Sequence, residues 1–299
     1  MKNKNLIVTG GCGFIGSHIV DGLVKKNYNV IVIDNLSAEN EKFYFNPKAQ
    51  YLNSNIIDPD IESHFNDIDC VFHLAAESRI GRCFDQPQLA LETNAKGTLN
   101  ILEICRNKGI KKIIYSSTSS VYGLTEEMPI VEETKIDCLN AYSTTKYFGE
   151  KLIELYSKLY EINYTIFRYF NVYGETSPVF GPYAPVLGIF LKQLSNGQNL
   201  TIVGDGEQRR DFIHVKDVAG ANMHVYENNV FLNDVMNVGY GENISINELA
   251  NFLSNEPKVY LEKRPGEARN TLADITKILK IGWKPTINLK EYVDAIMAC

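Results

Sequence analysis

The chain has 299 residues, of which 44% are hydrophobic and 22% are charged, and its formal net charge is −6. This is the balance of an ordinary globular protein, and the excess of acidic groups argues against a nucleic-acid binder or a membrane-surface binder. The six cysteines form no Cys-x-x-Cys pair, and no apolar run approaches the length of a transmembrane helix. We therefore expect a cytoplasmic protein with reduced thiols.

The first elements follow the order strand, glycine turn, helix, strand, acid. A short apolar run precedes Gly10, Gly13 and Gly16, and a helical pattern of apolar residues begins with Phe14 and Ile15. The first glycine permits a tight turn, the second removes a Cβ that would block a pyrophosphate, and the third lets helix and strand pack closely. The free N–H groups at the start of the helix then face the phosphates. The pattern predicts a dinucleotide-binding turn.

The second strand indicates which dinucleotide binds. The apolar run 30–33 ends in Asp34, where a carboxylate can accept both hydroxyls of an adenosine ribose. The same carboxylate would repel a 2′-phosphate, and residues 35–37 contain no basic side chain. The sequence therefore predicts NAD rather than NADP as the cofactor.

Strands and helices alternate as far as residue 169, which predicts a doubly wound parallel sheet with helices on both faces. We expect strands at 51–53, 70–76, 113–115 and 162–169, a short helix at Pro59, and longer helices at about 88–108 and 142–160. Gly109 is placed to end the first long helix. His73, the one histidine in its strand, is interpreted as a packed structural residue rather than an acid or base.

From residue 171 the rhythm changes, because prolines and glycines interrupt the chain. We expect a helix at 187–196, a strand at 200–203, a basic turn at 207–211, a helix at 216–227 and a strand at 235–238 that returns to the sheet. The predicted fold class is α/β. Residues 1–170 with 214–240 form the Rossmann-type domain, and residues 171–213 with 241–299 form a smaller, mixed substrate-binding lobe.

Tyr142 and Lys146 lie four residues apart on the helix predicted for 142–160, so they share one face of it. A free tyrosine, with a pKa near ~10, is a poor base at neutral pH, and a nearby ammonium group lowers that pKa. A hydroxyl from the stretch 116–120 is available to bond a substrate oxygen. Beside a dinucleotide, these groups predict oxidation of an alcohol to a ketone. The Tyr-x-x-x-Lys spacing alone is also a common chance pattern on a helix.

Over nearly its whole length the chain resembles the extended short-chain dehydrogenase/reductases, and among them the family of UDP-glucose and UDP-N-acetylglucosamine 4-epimerases. The resemblance rests on four motifs in order: Gly10-x-x-Gly13-x-x-Gly16, the Tyr142/Lys146 pair, Arg168-Tyr169-Phe170-Asn171, and Arg210-Asp211-Phe212-Ile213-His214-Val215. It implies an NAD-dependent isomerase that oxidises a UDP-hexose at C4 to a 4-keto intermediate, lets the sugar rotate, and returns the hydride to the other face.

The resemblance also implies roles for single residues. The catalytic residues are expected to be Thr118, Tyr142 and Lys146. The residues expected to bind the cofactor are Gly10, Gly13, Phe14, Ile15, Gly16, Asp34, Asn35, Asn55, Ile56, Leu74, Ala75, Ala76, Asn94, Ser116, Tyr142, Lys146 and Tyr169. Those expected to bind the substrate are Ser119, Asn171, Val186, Leu187, Thr201, Arg210, Arg264, Glu267 and Thr271. No metal is implied. Asn55 departs from the family, which usually carries an aspartate near the adenine, but its Oδ1 still accepts from the adenine amino group.

Three enzymatic branches of the family stay open. The 4,6-dehydratases carry Thr-Asp-Glu before Val-Tyr-Gly, whereas this chain reads Thr118-Ser119-Ser120 and has neither carboxyl. Uronate epimerases usually have Thr where this chain has Asn171, and both they and the decarboxylases need a clamp for a C6 carboxylate. The UDP-hexose 4-epimerases fit best. The small Thr271, where a tyrosine is typical of epimerases restricted to glucose and galactose, leaves room for an N-acetyl group.

Two further expectations concern partners. A regulatory protein that binds NAD without catalysis is the alternative of a different class, and the Tyr142/Lys146 pair counts against it. The helices near 88–107 and 142–160 resemble the pair through which this family forms two-fold dimers, so we expect a homodimer. The outer apolar residues that motivate this are Leu99, Leu102, Leu152 and Leu155.

Overall fold

The computed structural model of the chain describes residues 4–38, 43–179, 184–262 and 268–298. These residues form twelve strands: β1 Asn5–Thr9, β2 Asn29–Asp34, β3 Gln50–Asn53, β4 Ile68–His73, β5 Lys112–Thr118, β6 Asn163–Tyr169, β7 Asn171–Tyr173, β8 Thr201–Val203, β9 Arg209–His214, β10 Asp234–Val238, β11 Asn243–Ser245 and β12 Val259–Leu261. The same residues form ten α-helices: α1 Phe14–Lys25, α2 Ile80–Asp85, α3 Pro87–Ala90, α4 Gly97–Lys108, α5 Ala141–Tyr160, α6 Val186–Ser195, α7 Val215–Glu227, α8 Ile246–Leu253, α9 Thr276–Lys280 and α10 Leu289–Met297.

Seven strands form one parallel sheet in the order β10-β6-β5-β4-β1-β2-β3. The chain starts at β1, adds β2 and β3 on one side, and then crosses back to place β4 on the other side. The carboxyl ends of β1 and β4 therefore meet at the point where the strand order reverses, which is where doubly wound sheets bind ligands. The expected fold class is confirmed, and β10 returns to the sheet beside β6 as expected.

Both faces of this sheet are covered. Leu6 and Val8 of β1 face the core that contains residues of α1 and α7, whereas Ile7 faces the core that contains residues of α4 and α5. Alternate residues of a strand point to opposite faces, so a strand buried on both sides reads as a continuous apolar run. That is the origin of the run at the start of the chain.

The smaller lobe has its own sheet and core. Strands β11, β9 and β7 form a three-stranded mixed sheet, and β8 pairs in parallel with β12. The lobe's core includes Tyr173, Phe190, Leu249 and Val293, which are buried. The division of the chain into two domains stays a prediction.

Four expected elements differ in the structure. The strand expected at 113–115 continues to Thr118 in β5. The turn expected at 207–211 is wrong from Arg209 onward, because β9 begins there and pairs with β7 and β11. The helix expected at about 88–108 is interrupted by a π turn at Leu91–Lys96 between α3 and α4. The strand expected at 70–76 ends at His73. Gly109 ends α4 in the left-handed conformation, with φ 69°, as expected.

Candidate active site

The glycine turn between β1 and α1 forms a narrow cradle. Gly10 has φ +71°, and a Cβ there would lie 2.7 Å from the backbone nitrogen of Ala75. A Cβ at Gly16 would overlap the carbonyl oxygen of Gly10, and one at Gly13 would lie 3.3 Å from that oxygen. A side chain at Gly10 or Gly16 would therefore force the turn apart, whereas Gly13 leaves the entrance to the helix open. The cradle fits the phosphates of a dinucleotide.

The amino end of α1 supplies donors to this cradle. Gly13 is the N-cap and provides no side-chain cap, and the helix begins with Phe14 and Ile15. The first N–H groups of a helix have no partner within it, and the helix dipole favours an anion there. The residues expected to bind phosphate therefore lie at the amino end of α1: Gly13, Phe14, Ile15 and Gly16.

Asp34 ends β2 beside the same turn. Its Oδ2 accepts the backbone N–H of Cys12 at 2.9 Å, and its Oδ1 accepts that of Leu36 at 2.8 Å. Burial raises the pKa of Asp34, and these two hydrogen bonds oppose the rise. Each carboxylate oxygen keeps a second lone pair for a ribose hydroxyl. Asn35, the next residue, uses its Oδ1 to accept the N–H of Ser37 at 3.1 Å.

The loop after β3 carries Asn55 and Ile56. The Oδ1 of Asn55 accepts the N–H of Ile57 at 3.3 Å, and the carboxylate of Asp58 accepts the N–H of Asn55 at 2.8 Å. Ile56 is buried, and a Cβ at Gly97 on α4 would collide with its side chain. The amide oxygen of Asn55 therefore shapes a local turn and has one lone pair left for an adenine amino group.

The segment that follows β4 lies against the glycine turn. The hydroxyl of Thr9 accepts the N–H groups of Leu74 and Ala75, both at 3.2 Å, and bonds Nδ1 of His73 at 2.7 Å. Burial, together with the charge of the nearby Lys146, lowers the pKa of His73 to about 3. His73 is fully buried and neutral, in agreement with its structural interpretation. Ala76 continues the same segment.

Asn94 lies in the π turn and is fully buried. Its Oδ1 accepts the N–H of Glu77 at 2.7 Å, and its Nδ2 donates to the carbonyl of Glu77 and to the hydroxyl of Thr145, both at 3.0 Å. These bonds tie the segment after β4 to α5. Irregular turns of this type concentrate at functional sites, and here the turn brings the amide within reach of both partners.

Ser116 and Tyr169 lie near the carboxyl ends of the neighbouring strands β5 and β6. Their hydroxyls are 2.9 Å apart, and the Nδ2 of Asn222 on α7 donates to Tyr169 at 2.8 Å. Both hydroxyls are buried and bond each other. In the structure, these side chains hold the strand ends together below the expected position of the cofactor.

Two of the three expected catalytic residues, Thr118 on β5 and Tyr142 on α5, come together. Asn140 caps α5 by accepting the N–H of Ser143 at 2.9 Å, so the helix begins immediately before Tyr142. Desolvation raises the pKa of Tyr142 to about 12, and a hydrogen bond with Thr118 opposes the rise. The hydroxyl of Thr118 also accepts the N–H of Ser120 at 3.1 Å. Thr118 and Tyr142 thus meet at the carboxyl end of the sheet.

Lys146 lies one turn further along α5 and is 2% exposed. Its Nζ lies 4.1 Å from the centre of the Tyr115 ring, and burial lowers the pKa of Lys146 to about 7, while the charge of Glu150 opposes this change. A buried lysine with such a pKa is poised between charged and neutral forms near neutral pH. Perturbed groups of this kind concentrate at functional sites.

The smaller lobe contributes Asn171 and Thr271. The Nδ2 of Asn171 donates to the carbonyl of Asp211 at 2.8 Å and to the hydroxyl of Thr271 at 3.2 Å, and that hydroxyl also accepts the N–H of Asp211 at 3.3 Å. Thr271 is therefore part of a hydrogen-bonded cluster. Arg210, on β9, donates from Nη1 to the carbonyls of Arg209 and Arg269.

The other expected substrate residues lie at different depths. Ser119 and Val186 are half-buried, whereas Leu187 is 3% exposed within the core of the lobe. The hydroxyl of Thr201 accepts a hydrogen bond from Nε2 of Gln193 at 2.7 Å. Arg264 and Glu267 lie outside the described residues.

Two buried acids near the site were not found from the sequence. Asp211 is fully buried and accepts the N–H groups of Tyr240, Gly241 and Ala273 at 2.7–3.0 Å, and burial raises its pKa to about 6. Glu150 is fully buried and pairs with Arg168 at 2.7 Å. The signals in the sequence were the spacing of Glu150, four residues after Lys146 on the same helix, and the position of Asp211 in the motif of residues 210–215.

The described parts of the chain contain neither a candidate metal cluster nor a membrane-spanning helix. Within residues 4–38, 43–179, 184–262 and 268–298, no three His, Cys, Asp or Glu side chains are grouped so that they could hold a metal ion. In the same ranges, no helix is long and apolar enough to cross a bilayer.

The fold is a doubly wound sheet with a glycine cradle and an acid at the end of β2, which is the arrangement of a dinucleotide-binding protein. With a Tyr/Lys pair on α5 and a Thr hydroxyl in contact with the tyrosine, these features define a dinucleotide-dependent enzyme of the short-chain dehydrogenase type. Residues 6–239 match the model of the NAD-dependent epimerase/dehydratase family, and the chain belongs to that family. The match also confirms NAD as the expected cofactor.

Known relatives are similar over almost the whole chain. A putative UDP-glucose 4-epimerase of Methanocaldococcus jannaschii is 40% identical over 98% of this chain and 97% of that protein. A UDP-glucuronate 4-epimerase of Thermodesulfobacterium geofontis is 31% identical over 95% of this chain and 92% of that protein. Among solved structures, a UDP-N-acetylglucosamine 4-epimerase from Methanobrevibacter ruminantium M1, in complex with UDP-N-acetylmuramic acid, superimposes with a TM-score of 0.92. The two sequences are 37% identical, and the superposition covers 100% of this chain and 99% of the Methanobrevibacter chain. The chain is therefore an enzyme of the epimerase type.

Proposed function

We propose that the protein is an NAD-dependent 4-epimerase of UDP-hexoses that accepts both the N-acetylated and the plain sugars. The observation that carries the proposal is the contact of Tyr142 with Thr118, which ends β5 at the same edge of the sheet as the glycine cradle. Lys146 lies one turn further along α5. A base for an alcohol proton and a site for a dinucleotide then face one another.

When bound, NAD would accept the C4 hydride, so the chain's own residues have to remove and return the proton of the 4-hydroxyl. Tyr142 takes this proton as a phenolate and returns it after the sugar has turned. Thr118 bonds the same substrate oxygen and orients it toward the phenol. Lys146 favours the phenolate by its positive charge and is also placed to hold the nicotinamide ribose.

The pKa values give the expected pH dependence. In the unliganded protein the pKa of Tyr142, at about 12, keeps the phenol protonated at pH 7. A positive charge placed beside it lowers that pKa, so kcat should rise with pH as Tyr142 ionises in the complex. In the free protein the pKa of Lys146 is about 7, so kcat/KM should fall as the pH rises past this value, because neutral Lys146 no longer stabilises the phenolate.

The chemistry at C4 favours epimerisation over elimination. A 4,6-dehydratase needs an acid and a base beside the Thr hydroxyl, whereas Thr118 is followed by two serines, both half-buried. Elimination of water from C5–C6 therefore has no carboxyl group to act as its acid or base at this position. The relative named as a UDP-glucuronate 4-epimerase makes a uronate the alternative substrate class.

The smaller lobe is proposed to bind the UDP-sugar. Asn171 and Arg210 would contact the diphosphate, and Thr271 would form the wall beside the C2 substituent. The hydrogen bonds of Thr271 to Asn171 and Asp211 support this role, because they fix its small side chain beside the proposed diphosphate contacts. The remaining expected residues, Ser119, Val186, Leu187, Thr201, Arg264 and Glu267, stay proposals.

The protein is also proposed to form a homodimer through α4, α5 and the preceding π turn. Two of the expected outer residues, Leu99 and Leu155, are 37% and 48% exposed, whereas Leu102 is fully buried against the sheet and Leu152 packs on the same core. Phe148 and Leu159 extend the apolar face of α5, with exposures of 50% and 59%. An apolar face of this kind on two packed helices is suited to a two-fold helical bundle.

The direct test incubates the purified protein with UDP-glucose, UDP-galactose, UDP-N-acetylglucosamine, UDP-N-acetylgalactosamine and UDP-glucuronate, followed by separation of the epimers. We expect each of the first four to be converted to its 4-epimer without added reductant. Conversion of UDP-glucuronate alone would replace the proposed substrate class. Release of NAD from the denatured protein without conversion of any sugar would favour a regulatory NAD-binding protein.

A further inference from the structure

A buried carboxylate lies on the helix that carries Tyr142 and Lys146, and the proposed reaction leaves it without a role. Glu150 follows Lys146 by four residues on α5, so the two side chains are neighbours on one face of the helix. Glu150 is fully buried. A carboxylate buried to this extent is costly unless other groups compensate its charge, so its partners indicate what it does.

Glu150 is bonded to both strands that end at the active site. Its Oε1 accepts the hydroxyl of Ser117 at 2.5 Å and the Nε–H of Arg168 at 3.0 Å, and its Oε2 accepts Nη2–H of Arg168 at 2.7 Å. Ser117 on β5 and Arg168 on β6 are register partners, so they point to the same side of the sheet. The carboxylate therefore joins α5 to β5 and β6 at one point.

The far side of Arg168 is also bonded. Its Nη1 donates to the hydroxyl of Tyr122 at 2.9 Å and to the carbonyl of Glu132 at 3.0 Å. The guanidinium is therefore fixed from two directions and cannot swing away from Glu150 without breaking other hydrogen bonds. Charge-assisted, two-point pairs of this kind are geometrically specific.

We propose that Glu150 is a positioning residue for the reaction: it fixes Thr118 opposite Tyr142 through Ser117 and Arg168, and its negative charge keeps Lys146 protonated. The inference rests on the proposed function, because it assigns Lys146 a part in the reaction. Ser117 immediately precedes Thr118, so the bond that holds Ser117 also fixes the end of β5.

The surroundings of Lys146 support the part of the proposal that concerns charge. The sheet presents the Tyr115 ring and the neutral His73 to Lys146, and α5 presents the carboxylate of Glu150. Among the described groups that face Lys146, Glu150 supplies the negative charge, and it opposes the lowering of the pKa of Lys146 by burial. The positive charge of Arg168, on β6, is paired with that carboxylate.

The test compares Glu150→Gln with the matched variant Glu154→Gln, one turn further along α5, where Glu154 pairs with Lys151. Two quantities are measured between about pH 5 and 10, a range that brackets the pKa of Lys146 and its expected displacement: kcat/KM for the best UDP-sugar, and the affinity for NAD by calorimetry. In Glu150→Gln the fall of both quantities at high pH should begin at a pH lower by about one unit, a tenfold change in the protonation equilibrium of Lys146. In Glu154→Gln the pH at which both quantities begin to fall should be unchanged.

A loss of rate at every pH, with no change in the pH at which kcat/KM and NAD affinity fall, would overturn the proposal, because a merely structural role gives that result. Because Glu150→Gln leaves the buried cation of Arg168 unpaired and can unfold the protein, the pair Glu150→Gln/Arg168→Met removes both charges. In this double variant kcat/KM and NAD affinity should fall at the same lowered pH as in Glu150→Gln. A folded double variant in which they fall at the wild-type pH would also overturn the proposal. If the wild type converts no UDP-sugar, the proposed function fails, whereas the pH dependence of NAD affinity still decides the role of Glu150.

Discussion

Replacing Thr271 by tyrosine should convert the protein into an epimerase restricted to the plain sugars. The phenol ring would occupy the space proposed for the acetamido group at C2, whereas a 2-hydroxyl still fits. Overpacking a filled site typically costs ~1–3 kcal/mol, which is a factor of about 10–10². We therefore expect the ratio of kcat/KM for UDP-N-acetylglucosamine to that for UDP-glucose to fall by about 10² in Thr271→Tyr.

The structure separates this effect from a second one. The Thr271 hydroxyl is bonded to the Nδ2 of Asn171 and the N–H of Asp211, at 3.2 and 3.3 Å, and the tyrosine removes both bonds. Each is worth about 0.5–1.5 kcal/mol net, and their loss should slow all sugars alike by up to about tenfold per bond. Thr271→Val keeps the volume and removes the hydroxyl, so it measures this common loss alone.

The assay is a steady-state measurement of epimerisation for both sugars with the wild type, Thr271→Val and Thr271→Tyr. The valine variant should lower both rates and leave their ratio unchanged. An unchanged ratio in the tyrosine variant would show that Thr271 does not line the C2 pocket. An equal loss on every sugar, accompanied by a lower melting temperature, would instead indicate a misfolded lobe.

Three other changes test separate parts of the site. Tyr142→Phe keeps the ring and removes the base, so kcat should fall by ~10²–10⁴ while NAD stays bound; turnover near that of the wild type would exclude Tyr142. Asp34→Ala should weaken NAD binding in a titration and reduce the preference for NAD over NADP. A wild-type protein that prefers NADP would refute the role of Asp34. Leu155→Asp should give a monomer by light scattering at micromolar concentration, and a wild type that is itself monomeric would contradict the proposed dimer.

The fold was predictable where local pattern and tertiary packing agree. The run 30–33 and its terminal Asp34 follow from a strand buried on both faces, and β2 contains both. Arg209, Arg210 and Asp211 were assigned to a turn because charged residues disfavour strands. They form β9 because the buried carboxylate of Asp211 is satisfied by three N–H groups from segments distant in sequence. No local pattern reveals those partners.

The candidate site shows the same division. Tyr142 and Lys146 were predictable, because one helix fixes their spacing. Asn94 was expected to bind the cofactor, but its amide is bonded to Glu77 and Thr145, across a π turn that periodicity does not reveal. Glu150 escaped notice because its importance depends on Arg168, a residue on another strand. Spacing shows which side chains share an element, whereas contacts between elements depend on how the sheet is assembled.

The measurement that tests the account most directly follows a deuterium label at C4. UDP-glucose and UDP-N-acetylglucosamine labelled at that carbon are converted by the protein with its bound NAD, and the 4-epimer is analysed by mass spectrometry and proton NMR. We expect the product to keep the deuterium at C4, with no exchange into water and no net formation of NADH, because the same hydride leaves and returns. Loss of the label to solvent, or release of a stable 4-keto sugar with one NADH per turnover, would contradict a 4-epimerase.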